Sequence, residues 1–340
     1  MNDSEIHSGY EFEDGMFSRM RSWVDVAPWI RLGRVCRILA SPSNVGLVFL
    51  GVILTVMVLG WGLGVFAQRA RLTPLMTDMQ QLAGLVIGQS VLKSLFAVGF
   101  LVLLWTPIVQ FVCRSGASLT AGMTLPDNRS SGQIVRTRCW WSYLVPIVPW
   151  LCLLTFALLL FLVRIPSLLV NVPLLSILSG GCIGLLAIPA GVLGFGALFA
   201  IPLGLAAMVN EPDPDPIDSL SRGYEYLFRR PLSVVWYGLV SGVLIYLSGY
   251  LLGGVCAMAL LVVGLIGGVG GADPRLIASA ATVVGWLLTA WQLTFAFGLL
   301  GGVYLLLRRD AGGQEVEDLW LPPQPATKPL PSLPKQAFDS

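Results

Sequence analysis

No Asp, Glu, Lys, Arg or His occurs within residues 45–67, 95–112 or 143–163. Uncharged apolar runs of about 18 residues or more read as membrane spans, because a hydrocarbon core ~30 Å thick takes about 20 helical residues to cross. Inside lipid the backbone must satisfy its own hydrogen bonds, which leaves helices or a closed barrel. Barrel strands alternate in polarity over about ten residues. These runs do not alternate, so the expected fold class is all-α, an integral membrane helical bundle. Composition points the same way. Of 340 residues, 55% are hydrophobic and 12% are charged, and the mean hydropathy is +0.77, whereas soluble domains carry roughly 25% charged residues.

Read from the N-terminus, residues 1–15 are acidic and polar and are expected to be disordered. Residues 16–44 interleave Phe17, Met20, Trp23, Trp29, Ile30 and Val35 with Arg19, Arg21, Arg31, Arg34 and Arg37. That mixture predicts an interfacial amphipathic segment, divided by Pro28. A polytopic transmembrane domain of about six helices follows over 45–307. Its spans are 45–67, 95–112, 143–163, 174–209, from 232 to near 266, and 276–307. Residues 68–94 place Leu75, Met76, Met79, Leu82, Leu85 and Val86 at helical spacing and predict a further interfacial helix. Polar loops are expected at 113–142 and 210–230. The segment 174–209 holds Gly180, Gly181, Pro189 and Pro202 and is read as one bent span rather than two. Residues 308–340 read as a disordered Pro-rich cytoplasmic tail.

Lys and Arg stay on the cytoplasmic side of membrane proteins. With six spans, that side holds every Lys and Arg except Arg69, Arg71, Lys93, Arg164 and Arg275, out of 21 in the chain. The bias predicts a multi-pass protein of the bacterial inner membrane with both termini in the cytoplasm. A second full span within 174–209 would export Arg222, Arg229 and Arg230. Three segments on the cytoplasmic side share one plan, a basic or aromatic amphipathic stretch, then a proline, then a span. They run from Arg31 to Pro42, from Ile134 to Pro146 and from Tyr224 to Pro231. The plan suggests three helical hairpins, each introduced by an interfacial helix.

The chemistry-bearing residues are sparse. No acidic residue or histidine lies within any expected span, although coupled transporters commonly need such groups there. The single histidine, His7, sits in a polar tail, which leaves no zinc motif and no serine triad. Six cysteines form no C-x-x-C pair, so no metal site is expected, and no cofactor. A net charge of +2 gives no reason to expect nucleic acid. Glycine pairs at four-residue spacing, Gly60/Gly64, Gly180/Gly184, Gly238/Gly242, Gly264/Gly268 and Gly298/Gly302, suggest close helix approach. The acid–proline alternation from Glu211 reads as a stiff linker. Just beyond it, Arg222, Tyr224, Tyr226, Phe228, Arg229 and Arg230 are the candidate lipid- or partner-contacting residues, since basic and aromatic groups anchor at an anionic membrane surface.

At this loop the sequence resembles a known family. The run Asp218-Ser-Leu-Ser-Arg-Gly-Tyr-Glu-Tyr-Leu-Phe-Arg-Arg-Pro231 is similar to a signature of uncharacterised polytopic membrane proteins found chiefly in planctomycete-type bacteria. Pro28-Trp-Ile-Arg-Leu-Gly-Arg34, Val303-Tyr-Leu-Leu-Leu-Arg-Arg-Asp310 and Glu317-Asp318-Leu-Trp320-Leu321 resemble other parts of that family, so the likeness spans about residues 28–321. Ser43-Asn44 stands where basic residues would be expected. The resemblance implies a polytopic architecture and a membrane location, and no biochemical activity. Residues and resemblance together lead to the expectation of a non-enzymatic membrane scaffold or accessory subunit, whose partners are the lipid bilayer and a membrane or cytoplasmic protein. The alternative is a permease-like subunit of a membrane transporter.

Overall fold

The computed structural model describes residues 27–62, 91–169, 172–270 and 274–321. A 3-10 helix, Pro28–Ala40, comes first. Eight α-helices follow: α1 Pro42–Gly62, α2 Val91–Thr120, α3 Asn128–Ser142, α4 Leu144–Leu169, α5 Pro173–Asn210, α6 Pro216–Arg229, α7 Pro231–Gly270 and α8 Pro274–Gly312. No strand occurs among the described residues. Most of these helices begin on proline. Pro28, Pro42, Pro173, Pro216, Pro231 and Pro274 each occupy a first helical position, where a missing N–H costs nothing and the fixed φ already suits the helix.

Five helical segments among the described residues are long and apolar enough to cross a membrane, and the 3-10 helix with α1, joined at a 77° bend, would make a sixth. The fold is therefore the expected all-α helical bundle. The segment read as one bent span is one helix, α5, 38 residues long and unbroken despite Pro189 and Pro202 within it. At 1.5 Å per residue it is roughly 57 Å long, so it outreaches a ~30 Å hydrocarbon core.

Two expected loops are largely helical. α2 continues to Thr120, well past the last apolar residue of its span, and α3 occupies Asn128–Ser142. Arg114 can lie inside α2 because its guanidinium is buried among carbonyl acceptors and does not face lipid. The loop after α5 is likewise mostly α6. The tail boundary also moves. α8 runs on to Gly312 and residues 313–321 fold back against the bundle, so the expected disorder from Arg308 does not begin there. Residues 1–26, the expected interfacial helix up to residue 90, and residues 322–340 lie outside the described residues.

The threefold plan takes a definite form. The 3-10 helix leads into α1 and α2, α3 leads into α4 and α5, and α6 leads into α7 and α8. The second long helix of each unit is central, and α2, α5 and α8 pack on one another. Each short helix packs chiefly on the second long helix of the preceding unit, α3 on α2 and α6 on α5. The 3-10 helix, which opens the first of these units, packs chiefly on α8, which closes the cycle.

Glycine sets the closest approach, between α2 and α8. A Cβ on Gly116 would run into the carbonyl of Gly298, and one on Gly301 into the carbonyl of Cys113. Of the expected glycine pairs, Gly298/Gly302 lies at this crossing. Gly180, Gly184, Gly238, Gly242 and Gly264 face open space within the chain, and Gly60, Gly64 and Gly268 lie outside the residues whose side chains are described.

Candidate lipid- and partner-contacting site

The C-terminal ends of α2, α5 and α8, the three short helices and residues 313–321 meet at one end of the bundle. α6 shows how the sequence builds it. Pro216 opens the helix, and Asp215 caps it by accepting a hydrogen bond from the Ile217 N–H at 3.3 Å. Gly223 sits where a Cβ would meet the backbone of Ala200, so α6 lies directly on α5.

The six candidate residues divide between the two faces of α6. Phe228, Arg229 and Arg230 point outward, with Phe228 55% exposed. Arg229 pairs with Glu225 one turn back, a surface pair of small worth. Tyr224 is half-buried, donates its hydroxyl to the Leu193 carbonyl at 3.0 Å and stacks on Phe228. Tyr226 corrects the expectation. It is a core residue, 5% exposed, packed against the Tyr304 ring and out of reach of lipid or a partner. Burial pushes its phenol above the ordinary pKa. Arg222 also turns inward, 2.8 Å from Asp218 and 3.6 Å from Glu211. Burial pulls its guanidinium down, and Asp218, Tyr304 and Glu211 more than offset that, leaving its pKa raised.

Glu211, expected in a linker, is the hub of this end. Its Oε1 accepts from the Tyr304 hydroxyl at 2.6 Å and from Arg308 at 3.3 Å, and Arg222 lies 3.6 Å from the same oxygen. It is nearly buried, and charges withdrawn from water are tolerable only when paired and hydrogen-bonded. Two further arginines close the end of α5, whose last carbonyls have no partner within the helix. Arg114 donates to the Val209 carbonyl and the Asn210 side chain, both at 3.3 Å. Arg138, on α3, donates to the carbonyls of Met208 at 3.0 Å, Glu211 at 2.7 Å and Pro212 at 2.9 Å.

Residues 313–321 form a strap across this hub. Arg308 donates to the carbonyls of Asp318 at 2.6 Å and Glu315 at 3.3 Å, Arg31 pairs with Glu317, and Arg114 donates to the Trp320 carbonyl. The Trp320 ring lies 4.2 Å from the Arg138 guanidinium and 5.8 Å from that of Arg114. The strap's own Val316 and Leu319 are buried.

Each short helix thus turns one arginine inward, Arg31, Arg138 or Arg222, and leaves others outside. Arg34 and Arg37 are exposed on the 3-10 helix, Arg129 and Arg136 on α3, and Arg229 and Arg230 at the end of α6. Exposed aromatic groups accompany them: Trp29, Trp140, Trp141 and Phe228. Together these groups form a basic and aromatic collar around the hub. The sequence marks all three segments as basic, amphipathic and interfacial, but it singled out contact residues in the α6 part alone. The 3-10 part was legible in the triplet Arg31-Leu-Gly, Arg34-Val-Cys, Arg37-Ile-Leu, whose period of three matches a 3-10 helix. The hub had no such signal, because nothing local links Glu211 to Tyr304 or Arg308.

Comparison with known proteins gave no match of three kinds: no family model, no curated protein and no solved structure matches the chain.

Proposed function

We propose that this chain is a non-enzymatic scaffold or accessory subunit of the bacterial inner membrane, gripping the anionic cytoplasmic leaflet through its collar. Membership of the planctomycete-type family it resembles is part of the same proposal. The observation that carries it is the repeated division of labour in the three short helices. Each turns one arginine inward, onto the strap, the end of α5 or Glu211, and presents further arginines and aromatic rings outward at this end of the molecule. Indole and phenyl rings suit the headgroup level, and each basic group near an anionic surface contributes about 1 kcal/mol.

The test compares thermal stability in zwitterionic nanodiscs and in nanodiscs containing anionic phospholipid. Anionic lipid should raise the melting temperature, and Arg229→Glu with Arg230→Glu should remove part of that gain. Equal melting temperatures in the two lipids would sink the proposal. Orientation is tested with an impermeant thiol reagent on intact cells whose outer membrane has been permeabilised. A cysteine at Ser167 should react and one at Ser221, an exposed position on α6, should not. The reverse pattern would place the collar on the outer face.

A further inference from the structure

We propose that Arg34 and Arg37 form a binding site for one phosphate group, that of an anionic phospholipid headgroup. The site rests on the collar reading and gives it a particular ligand and place. In a 3-10 helix, residues three apart eclipse one another. Leu32, Val35 and Ile38 accordingly form one edge, each fully buried, and Arg31, Arg34 and Arg37 form the next. Arg31 is paired with Glu317. Arg34 and Arg37 are exposed and have neither ion pair nor hydrogen bond among the described residues. Two neighbouring guanidinium groups without a carboxylate are matched to phosphate, whose oxygens accept parallel N–H donors.

The surroundings favour an anion there. Arg34 and Arg37 line a cavity of about 260 Å³ with Leu119, Gly122 and Met123, at the C-terminal turn of α2. A helix C-terminus ordinarily repels anions through its free carbonyls, and here three of the last four are occupied. The N–H groups of Ala121, Gly122 and Met123 donate to the carbonyls of Ala117, Leu119 and Ser118 at 2.9, 3.1 and 3.0 Å. This closure needs Gly122 at φ +84°, in the region that favours glycine, and its Cα lies against the Arg34 guanidinium, where a Cβ would be 3.0 Å from Nη1. The 3-10 helix turns 77° from α1. If α1 crosses the bilayer, the arginine edge lies along its surface, with Trp29 and Ile30 exposed in the preceding turn. That is the level of lipid phosphates.

The experiment titrates purified full-length protein in detergent with dioctanoyl phosphatidic acid, dioctanoyl phosphatidylcholine and inorganic phosphate, reading affinity by calorimetry. Phosphatidic acid should bind, and the double variant Arg34→Gln, Arg37→Gln should weaken it at least tenfold at an unchanged melting temperature. Arg229→Gln with Arg230→Gln should leave this affinity alone while lowering the stability gained in anionic nanodiscs, so the two readings can fail separately. Inorganic phosphate binding as tightly as the lipid would keep the phosphate chemistry and assign it to a free anion. Wild-type affinity in the Arg34, Arg37 variant, or equal binding of phosphatidylcholine, overturns the site. Should that variant fail to fold, Arg34→Gln and Arg37→Gln are tested singly; undiminished binding in both overturns the proposal equally.

Discussion

Along the first half of α5, Leu174, Ile177, Leu178, Leu185 and Ile188 all stand exposed, whereas from Leu203 to Asn210 every residue is buried. The same change runs along its neighbours. In α2, Leu95, Phe96 and Leu103 are exposed, while Val112, Cys113 and Ala117 are fully buried. In α8, Val283 and Leu287 give way to Phe295, Tyr304, Leu305 and Leu306. Both halves are apolar. In water the exposed half would be untenable, but in a bilayer lipid tails cover it as well as leucine would, so helices there gain little by meeting. Specific association must come from close backbone approach and polar bonds, and these are concentrated at the arginine-rich end: the Gly116–Gly298 crossing, the Glu211 hub and the strap.

The comparison predicts that destabilisation follows position and not hydrophobicity. The largest effect belongs to Glu211→Leu, which removes the carboxylate shared by Tyr304, Arg308 and Arg222. Breaking a buried pair by removing one partner costs about 3–5 kcal/mol, so the melting temperature in detergent should fall steeply. Leu205→Ala, at a site only 6% exposed, should cost about 2–5 kcal/mol. A Glu211→Leu protein as stable as the wild type would show that the hub does not hold this end together. Next comes Gly301→Ala, whose new methyl group meets the Cys113 carbonyl. Backbone can yield only by separating α2 from α8, and overpacking of this kind costs about 1–3 kcal/mol.

The exposed half was nearly all legible in the sequence, because length and lack of charge decide a span and lipid supplies the rest of its environment. The proline-opened helices were legible too, since Pro42 and Pro231 act locally. The packed half was not. Arg114 looked like a loop residue because it is charged, yet its partners are carbonyls of α5 distant in sequence. Glu211 looked like linker because its neighbours are Pro212 and Asp213. Tyr226 looked like an anchor because Arg229 and Arg230 follow it. Only the face of α6 that meets α8 reveals its burial.

The strap gives a smaller effect. Trp320→Ala removes a ring from beside Arg138 and Arg114, and a cation–π contact contributes about 0.5–2 kcal/mol according to its exposure. Trp320→Phe should recover most of the loss, because it keeps a π face against Arg138. Limited proteolysis reads this out: cleavage within residues 313–321 should accelerate in the Ala variant and much less in the Phe variant. Equal cleavage of all three proteins would mean that the backbone bonds from Arg308 hold the strap without help from the ring.

Leu185→Ala, in the exposed half of α5, should have the smallest effect, and it tests the comparison most directly. Leu185 is 70% exposed, and its neighbour Gly184 has nothing within 4 Å of a notional Cβ. No cavity can form where no protein atom packs, so the change should stay within about 0.5 kcal/mol. The measurement is the melting temperature of Leu185→Ala beside Leu205→Ala, in detergent and in bilayer nanodiscs holding a single chain. Both variants remove the same atoms from the same helix, which leaves position as the sole difference. A large loss for Leu185→Ala in detergent, matching that of Leu205→Ala, would mean that another chain covers the first half of α5. The loss should then depend on protein concentration and disappear in the single-chain nanodisc, whereas a lipid-covered face should be insensitive in both settings.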